Sequence, residues 1–223
     1  MPSNVIAIDG PAASGKSTLA QSLAQRLHIP YVSTGAMYRA VGWKVAKANL
    51  DPDDPAFDEK VIALLPDTKI EYCPENGSGF KVDGVFPGAE LRTDQVSMLA
   101  SRVAVIPAVR HFLVAMQREM AQRSMIVMEG RDIGTAVFPD AKYKFFLTAS
   151  ARVRAMRRLE QDGKTLDDAT INSVAKDIEA RDLQDSTREM SPLCQAEDAI
   201  LIDNSTFSEP QETLDAILKY ITI

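Results

Sequence analysis

The chain has 223 residues, of which 45% are hydrophobic and 25% are charged, a composition typical of an ordinary globular protein. Its formal net charge of −6 disfavours nucleic acid or an anionic membrane as a partner, because proteins that bind these need a basic surface. There is no apolar run long enough to cross a bilayer and no secretion signal, and the two cysteines lie in no metal-ligand spacing. We therefore expect a cytoplasmic monomer with free thiols.

The first predicted element is a buried strand, followed by a glycine-rich loop and a helix. The run "VIAID" at 5–9 is apolar until an aspartate closes it. After Lys16 the apolar residues change to helical spacing, with Leu19, Ala20, Leu23, Ala24 and Leu27 on one face.

The loop between them, "GPAASGKS" at 10–17, fits the pattern GxxxxGK[ST]. Its glycines let several backbone N–H groups face one anion, Lys16 reaches the outer phosphates, and the Ser17 hydroxyl is a ligand for Mg²⁺. The alternative is a chance glycine-rich turn, but the loop lies between a strand and a helix, the context that a triphosphate site requires. The spacing is not that of a dinucleotide-binding loop.

The middle of the chain alternates between helical and hairpin patterns. A helix is predicted over about 35–48 and is broken by "DPDDP" at 51–55. Residues 69–88 alternate apolar and polar positions, with "NGSG" and "DG" where hairpin turns would lie, so we expect a small antiparallel insertion. Helical spacing returns after Pro107, and the predicted buried stripe is Val109, Phe112, Leu113, Met116 and Met120.

Three further strands are predicted at 124–130, 142–150 and 199–203. Helices are expected to begin near Ser150, to span roughly 170–188, and to close the chain at about 209–220. Apolar strands that alternate with amphipathic helices predict a parallel sheet covered on both faces.

Several charged residues lie where they could handle phosphates. Glu129 ends a strand and could hold Mg²⁺ directly or through water, or serve only as a structural cap. Arg131 and Asp132 follow that strand, and the carboxyl ends of parallel strands line the ligand crevice. We therefore expect Arg131 to face the same crevice as Lys16.

Two helices carry further arginines. Arg154, Arg157 and Arg158 share one face, which could equally be a solvated surface. The apolar stripe of the next helix, Ile171, Val174 and Ile178, continues as Arg181, Asp185 and Arg188. Unpaired buried charge is costly, so this end either borders a cleft or forms a mutually paired ladder on the surface. Two groups of arginines around one glycine loop indicate two phosphate-bearing ligands.

The motifs together resemble the bacterial cytidylate (CMP/dCMP) kinase family, type 1, over nearly the whole chain. They are "IDGPAASGKST" at 8–18, "STGAMYRA" at 33–40, "LRTDQVSMLASRVAVIPAVR" at 91–110, "EGRDIGTAVFPDA" at 129–141 and "ARDLQDSTREMSPL" at 180–193. The resemblance implies a P-loop NTPase-type three-layer α/β fold of nucleoside monophosphate kinase architecture, with a parallel five-stranded sheet, a small antiparallel β insertion and a short lid. It also implies transfer of the γ-phosphoryl group of ATP to CMP or dCMP with Mg²⁺.

The resemblance further implies residue roles. Lys16, Arg131, Arg188 and Arg158 are expected to stabilise charge during transfer. ATP is expected to contact Gly10, Pro11, Ala12, Ala13, Ser14, Gly15, Lys16, Ser17, Thr18, Arg154 and Arg157. The monophosphate is expected to contact Thr34, Tyr38, Arg39, Ser101, Arg110, Arg131, Asp132, Arg181, Asp185 and Arg188.

The family pattern implies one domain, with a core at 1–33, 107–150 and 190–223. A monophosphate-binding insertion is expected at about 34–106, and a lid with flanking helices at about 151–189. Two alternatives to a CMP kinase are a kinase of another small acceptor, such as UMP, AMP or shikimate, and a non-catalytic nucleotide-binding switch. A switch has no need of the second group of arginines.

Overall fold

A computed structural model describes residues 3–73 and 79–222 and places them in two compact units. The first unit is Met1–Ile29 with Ser124–Ile223, and the second is Pro30–Arg123. Within the described residues a five-stranded sheet has the strand order β2 (Tyr31–Ser33), β5 (Ile126–Gly130), β1 (Ser3–Asp9), β6 (Ala141–Thr148) and β7 (Ile200–Asp203), and a separate two-stranded sheet pairs β3 (Ile70–Cys73) with β4 (Gly79–Val82). The predicted fold class, with a parallel sheet and a small antiparallel insertion, is confirmed.

The strands of the main sheet are β1 (Ser3–Asp9), β2 (Tyr31–Ser33), β5 (Ile126–Gly130), β6 (Ala141–Thr148) and β7 (Ile200–Asp203). In the first unit β1 pairs in parallel with β5 and β6, and β6 pairs in parallel with β7. The register places Asp9 opposite Gly130 and Phe146, and Thr148 opposite Asp203. The loops that leave β1, β5 and β7 therefore start from one edge of the sheet, which is the edge where ligands bind in such folds.

The first unit also holds four α-helices within the described residues, α1 (Lys16–Leu27), α6 (Ala151–Gln161), α7 (Asp168–Thr187) and α8 (Pro210–Leu218). The predicted start of α6 is confirmed, because the Ser150 side chain accepts a hydrogen bond from the Val153 N–H. Helix α8 begins with a capping box formed by Glu209 and Glu212. The charged residue Arg188 was expected inside a helix but follows the end of α7.

The second unit contains α2 (Thr34–Lys47), α3 (Phe57–Leu64), α4 (Asp94–Val103), α5 (Pro107–Arg123) and the pair β3 (Ile70–Cys73) and β4 (Gly79–Val82). The predicted "DG" turn is present, because Asp83 and Gly84 both have positive φ and Val82 and Val85 exchange backbone hydrogen bonds across them. Most of the predicted "NGSG" turn lies outside the described residues.

The buried face of α5 differs from the predicted stripe. Phe112, Met116 and Met120 are only half-buried, whereas the polar side chains of Arg110 and Gln117 are almost fully buried. A prediction from hydrophobic spacing cannot find such a face, because two of its members are polar. No single described helix is long and apolar enough to span a membrane; only α4 and α5 taken together, with a bend of 98° between them, pass that test of length and composition.

Close contact between α2 and α4 depends on Gly42. A Cβ at this position would lie 2.9 Å from the Ala100 nitrogen, closer than real Cβ atoms come to other atoms, and 3.0 Å from the Val96 carbonyl oxygen. We expect Gly42→Ala to lower the free energy of unfolding by about 1–3 kcal/mol, because the two helices must move apart. Urea unfolding measures this, with Gly35→Ala in the same helix as the control, because a Cβ there would come no closer than 3.4 Å to another atom, the flexible end of Arg39. A Gly42→Ala protein as stable as the wild type would contradict the prediction.

Candidate active site

The backbone conformation of the glycine loop after β1 depends on its two glycines. Gly10 has a φ of 149°, and a Cβ there would lie 2.0 Å from the Leu147 carbonyl oxygen of β6, so only glycine fits. Gly15, with a φ of 91°, precedes the first residue of α1, Lys16. The loop thus lies at the positive end of a helix that begins directly after it, as an anion site requires.

Lys16 is the buried cation of this loop. Its Nζ donates to the Pro11 carbonyl oxygen at 2.5 Å and lies 3.4 Å from the Ser14 hydroxyl oxygen. The pKa of Lys16 is lowered to about 7, mainly by burial and also by the nearby Arg131, while nearby carboxylates oppose the shift. An anion bound here would restore the charge of Lys16, because opposite charge favours the ionised form.

Asp9, at the end of β1, fastens the turn that follows β5. Its carboxylate accepts hydrogen bonds from the backbone N–H groups of Ile133 at 2.8 Å and Gly134 at 2.7 Å. Burial raises the pKa of Asp9 to about 7, and these two hydrogen bonds oppose the rise. Asp9 therefore fixes the segment that carries Arg131 and Asp132 beside the start of the glycine loop.

Ser17 and Glu129 are neighbours. The Ser17 hydroxyl donates to Glu129 Oε1 at 3.0 Å, which joins the first turn of α1 to the end of β5. Glu129 is 5% exposed. A hydroxyl and a carboxylate side by side are oxygen ligands of the kind that Mg²⁺ takes together with substrate phosphates and water.

A cluster of charged side chains joins the turn after β5 to the end of α7. Arg131 Nε donates to Asp185 Oδ2 at 2.8 Å. Arg188 lies 3.7 Å from Asp132 Oδ1 and 3.8 Å from Asp185 Oδ1. Burial lowers the pKa of Arg181, and Arg131 lowers it further, so these two cations are also near each other. The charged end of α7 is thus not a self-contained surface ladder, because a different segment supplies Arg131 and Asp132.

The three arginines of α6 have different surroundings. The Arg154 guanidinium is buried and donates to the carbonyl oxygens of Ala12 and Ala149. Arg157 donates to the side-chain and backbone oxygens of Asn204, both at 2.9 Å. Arg158 is exposed and pairs with Asp162 one turn along the helix, at 3.1 Å. Arg154 thus hydrogen-bonds the glycine loop directly, and Arg157 binds a residue that itself donates to the loop at Ser14.

Sequence reasoning assigned no role to three residues at this edge of the sheet. Asp9 holds the turn after β5, Asn204 donates to the Ser14 carbonyl oxygen at 3.2 Å, and Asp182 accepts from the Ala12 N–H at 2.9 Å. Asp182 follows Ile178 by four residues, so the same helical spacing that indicated Arg181 also points to it. Asn204 directly follows a strand, the position that singled out Arg131.

The remaining predicted residues lie in the second unit. Thr34, Tyr38 and Arg39 belong to α2, Ser101 to α4 and Arg110 to α5. The Arg110 guanidinium carbon lies 5.8 Å from the centre of the Tyr38 ring, a cation–π contact between these helices. The Ser101 hydroxyl donates to the Ser97 carbonyl oxygen at 3.3 Å, and Thr34 is buried at the start of α2.

Comparisons with known proteins agree on one family. A family model described as cytidylate kinase matches residues 6–223. A cytidylate kinase of Desulforamulus reducens is 44% identical over 216 residues, which cover 97% of this chain and 96% of that protein. A cytidylate kinase of Clostridium botulinum is 42% identical over the same shares of both chains. A bifunctional pantoate ligase/cytidylate kinase of Synechococcus elongatus is 45% identical over 88% of this chain and 38% of its own length.

Proposed function

The chain belongs to the cytidylate kinase family, and we propose that it transfers the γ-phosphoryl group of ATP to CMP or dCMP, giving ADP and CDP or dCDP. The observation that carries this proposal is the arrangement around Lys16. Arg131 is near enough to lower the pKa of Lys16, and Asp185 holds Arg131 at 2.8 Å. The lysine of the donor loop and an arginine suited to an acceptor phosphate therefore lie at one edge of the sheet.

The donor site in this proposal is the glycine loop. Its backbone N–H groups and Lys16 bind the phosphates of ATP, as the loop conformation and the helix that follows it favour. Arg157 and the buried Arg154 support the same site through Asn204 and Ala12. The proposed ATP ligands are Gly10, Pro11, Ala12, Ala13, Ser14, Gly15, Lys16, Ser17, Thr18, Arg154 and Arg157.

The proposed acceptor ligands divide by the part of CMP that they recognise. Arginine forks suit the monophosphate, and a carboxylate beside an arginine suits the amine donor and the acceptors of the cytosine edge. We assign the phosphate to Thr34, Arg39, Arg131 and Arg188, the base to Ser101, Arg110 and Asp132, and the sugar to Arg181 and Asp185. Tyr38 is proposed to adjoin the monophosphate, and its contact with Arg110 supports this neighbourhood.

Mg²⁺ fits the residues at the start of α1. Ser17 and Glu129 would hold it, one by its hydroxyl and the other by its carboxylate, directly or through water. When bound, the ion neutralises charge on the phosphates of ATP. We propose that it is required for activity.

Phosphoryl transfer needs alignment of the reacting oxygens and neutralisation of negative charge more than it needs a general base. In the proposed mechanism Lys16, Arg131, Arg188 and Arg158 supply positive charge. Arg158 is paired with Asp162 on the surface of α6, so its part requires that it leave this partner. We propose that residues about 151–189 act as the lid with its flanking helices, that 34–106 bind the monophosphate, and that 1–33, 107–150 and 190–223 form the core.

A panel of acceptors tests the proposed function. Purified protein is incubated with ATP and Mg²⁺ and with CMP, dCMP, UMP, AMP or shikimate in turn, and formation of ADP is measured. We expect CMP and dCMP to be the best acceptors. Preference for another acceptor would overturn the assignment, and tight binding of triphosphate without transfer to any acceptor would favour a nucleotide-binding switch.

The lowered pKa of Lys16 predicts proton uptake when nucleotide binds. At pH 8 Lys16, with a pKa of about 7, is mostly neutral, and bound phosphates raise this pKa toward its ordinary value of 10.5. Calorimetry of ADP binding in buffers of different ionisation enthalpy measures this proton uptake. We expect clear proton uptake at pH 8 and much less at pH 6. In Lys16→Ala we expect this uptake to fall, leaving only the part due to Asp9, whose pKa is raised to about 7. Equal uptake in the two proteins would contradict the assignment to Lys16.

A further inference from the structure

The backbone N–H and the backbone carbonyl group of Ala12 are both held by one buried ion pair. The Ala12 N–H donates to Asp182 Oδ1 at 2.9 Å, and the Ala12 carbonyl oxygen accepts from the Arg154 guanidinium at 3.0 Å. The guanidinium and the Asp182 carboxylate are paired with each other, with side chains 8% and 17% exposed. Arg154 is itself oriented by the Ala149 carbonyl oxygen at 2.9 Å. We call Ala12, Arg154 and Asp182 the loop clamp.

The next residue of the loop is held by apolar packing. Ala13, with a left-handed φ of 56°, packs against the hydrophobic cluster between α6 and α7, whose buried members are Ala155, Leu159, Ile171 and Ile178. The first half of the glycine loop thus lies on the α6–α7 pair through both polar and apolar contacts. These helices fix the loop, and the exposed connection between them, 162–167, has no part in the clamp.

We propose that Asp182 is a positioning residue of the donor site, which fixes the Ala12 peptide groups and the Arg154 guanidinium relative to the phosphates of ATP. This inference rests on the proposed function. The arrangement suits that role, because the backbone N–H groups of a glycine loop bind phosphate only when the loop keeps its curvature. Asp182 accepts from the Ala12 N–H through Oδ1 and pairs with Arg154 through Oδ2, so both carboxylate oxygens are engaged in the clamp.

The position of Asp182 on α7 adds a second consequence. Asp185, three residues later on the same helix, accepts from Arg131 at 2.8 Å. One rigid turn of helix therefore connects the clamp on the donor loop with an arginine assigned to the acceptor phosphate. We expect this link to act on kcat and not on the KM for CMP, since about 1 Å of displacement between reacting groups can slow a reaction by about 100-fold.

The test compares Asp182→Ala and Asp182→Asn with the wild-type protein. Asparagine keeps the size of the side chain and an oxygen that can accept from the Ala12 N–H, but it loses the charge that pairs with Arg154. Asp177→Asn is the matched control, because it removes an exposed carboxylate from the same helix. The measurements are the Kd for ADP, the KM for ATP and for CMP, kcat, and the melting temperature.

In Asp182→Ala we expect the Kd for ADP and the KM for ATP to rise by about 10-fold or more, while the KM for CMP stays within about twofold. Asp182→Asn is expected to lie between Ala and the wild type, and Asp177→Asn to match the wild type. A double-mutant cycle with Arg154→Ala should show strong non-additivity, because both side chains act on Ala12.

Three results would overturn the inference. The first is a lowered melting temperature with unchanged kinetic constants well below that temperature. The second is an equal rise in the KM for ATP and the KM for CMP, and the third is additive effects of the Asp182 and Arg154 changes. Failure of the proposed function gives a different result. If the wild-type protein is inactive toward CMP, a loss of ADP affinity in the Asp182 variants can still be measured. ADP binding therefore tests the clamp independently of the acceptor.

Discussion

Lys16→Ala is expected to leave the protein folded and to lower kcat for CMP by about 100-fold to 1000-fold, which corresponds to about 2.7–4 kcal/mol in the barrier. The loss arises because the ammonium group is the cation enclosed by the glycine loop and no longer stabilises the charge that develops on the transferred group. Steady-state kinetics with saturating ATP and CMP measure the effect.

The stability of Lys16→Ala should not fall together with its activity. Burial lowers the pKa of Lys16 to about 7, so below its ordinary pKa of 10.5 the unfolded chain binds a proton more tightly than the folded one, and this opposes folding. Alanine removes that cost, and we expect no loss in melting temperature at pH 7. Lys219→Ala, at an exposed position after α8, is the control and should match the wild type in both measurements. Near-wild-type turnover in Lys16→Ala would end the proposed role of Lys16.

Asp132→Ala is expected to lower kcat/KM for CMP by about 100-fold to 1000-fold and to affect any residual activity on UMP far less. The carboxylate is the proposed acceptor for the cytosine amine, and uracil presents a carbonyl oxygen at that position. The side chain of Asp132 is 8% exposed, so water cannot fully replace the lost contact.

A second effect of the same change must be separated from base recognition. Asp132 also lies 3.7 Å from Arg188, so its removal weakens the hold on an arginine proposed to bind the phosphate, and that loss is common to CMP and UMP. The base-specific part is the difference between the two acceptors. Asp132→Asn sharpens the test, because its amide can donate to the uracil oxygen and should lower the preference for CMP over UMP. Equal losses on both acceptors would remove Asp132 as a base reader and leave it a partner of Arg188.

Local sequence patterns determined the parts of this fold whose signals are local. The apolar run of β1, the glycine spacing and the helical period after Lys16 predicted a strand, a loop and a helix in the order that the structure has. The "DG" turn was predictable because Asp83 and Gly84 tolerate positive φ. Strand β2 was missed because three residues show no periodicity. Helix α4 was missed although Val96, Leu99, Ala100 and Val103 have helical spacing, and all four are buried.

Composition and spacing alone also indicated which residue types gather at the carboxyl ends of the strands, since parallel strands bring those ends to one edge. They could not indicate which members of a group contact one another. Arg154, Arg157 and Arg158 look equivalent in the sequence, yet one is buried against Ala12, one binds Asn204, and one is exposed.

The tertiary structure alone decided the contacts that span long stretches of chain. Asp182 meets the Ala12 N–H across 170 residues, and Asp9 holds Gly134 across 125. Such partners follow from how the sheet and the α6–α7 pair bring distant segments together, and burial then requires each polar group to find a partner there. The sequence by itself determined that a glycine loop with the spacing of a phosphate-binding loop lies between β1 and α1, and only the packing of distant residues decided what holds that loop in shape.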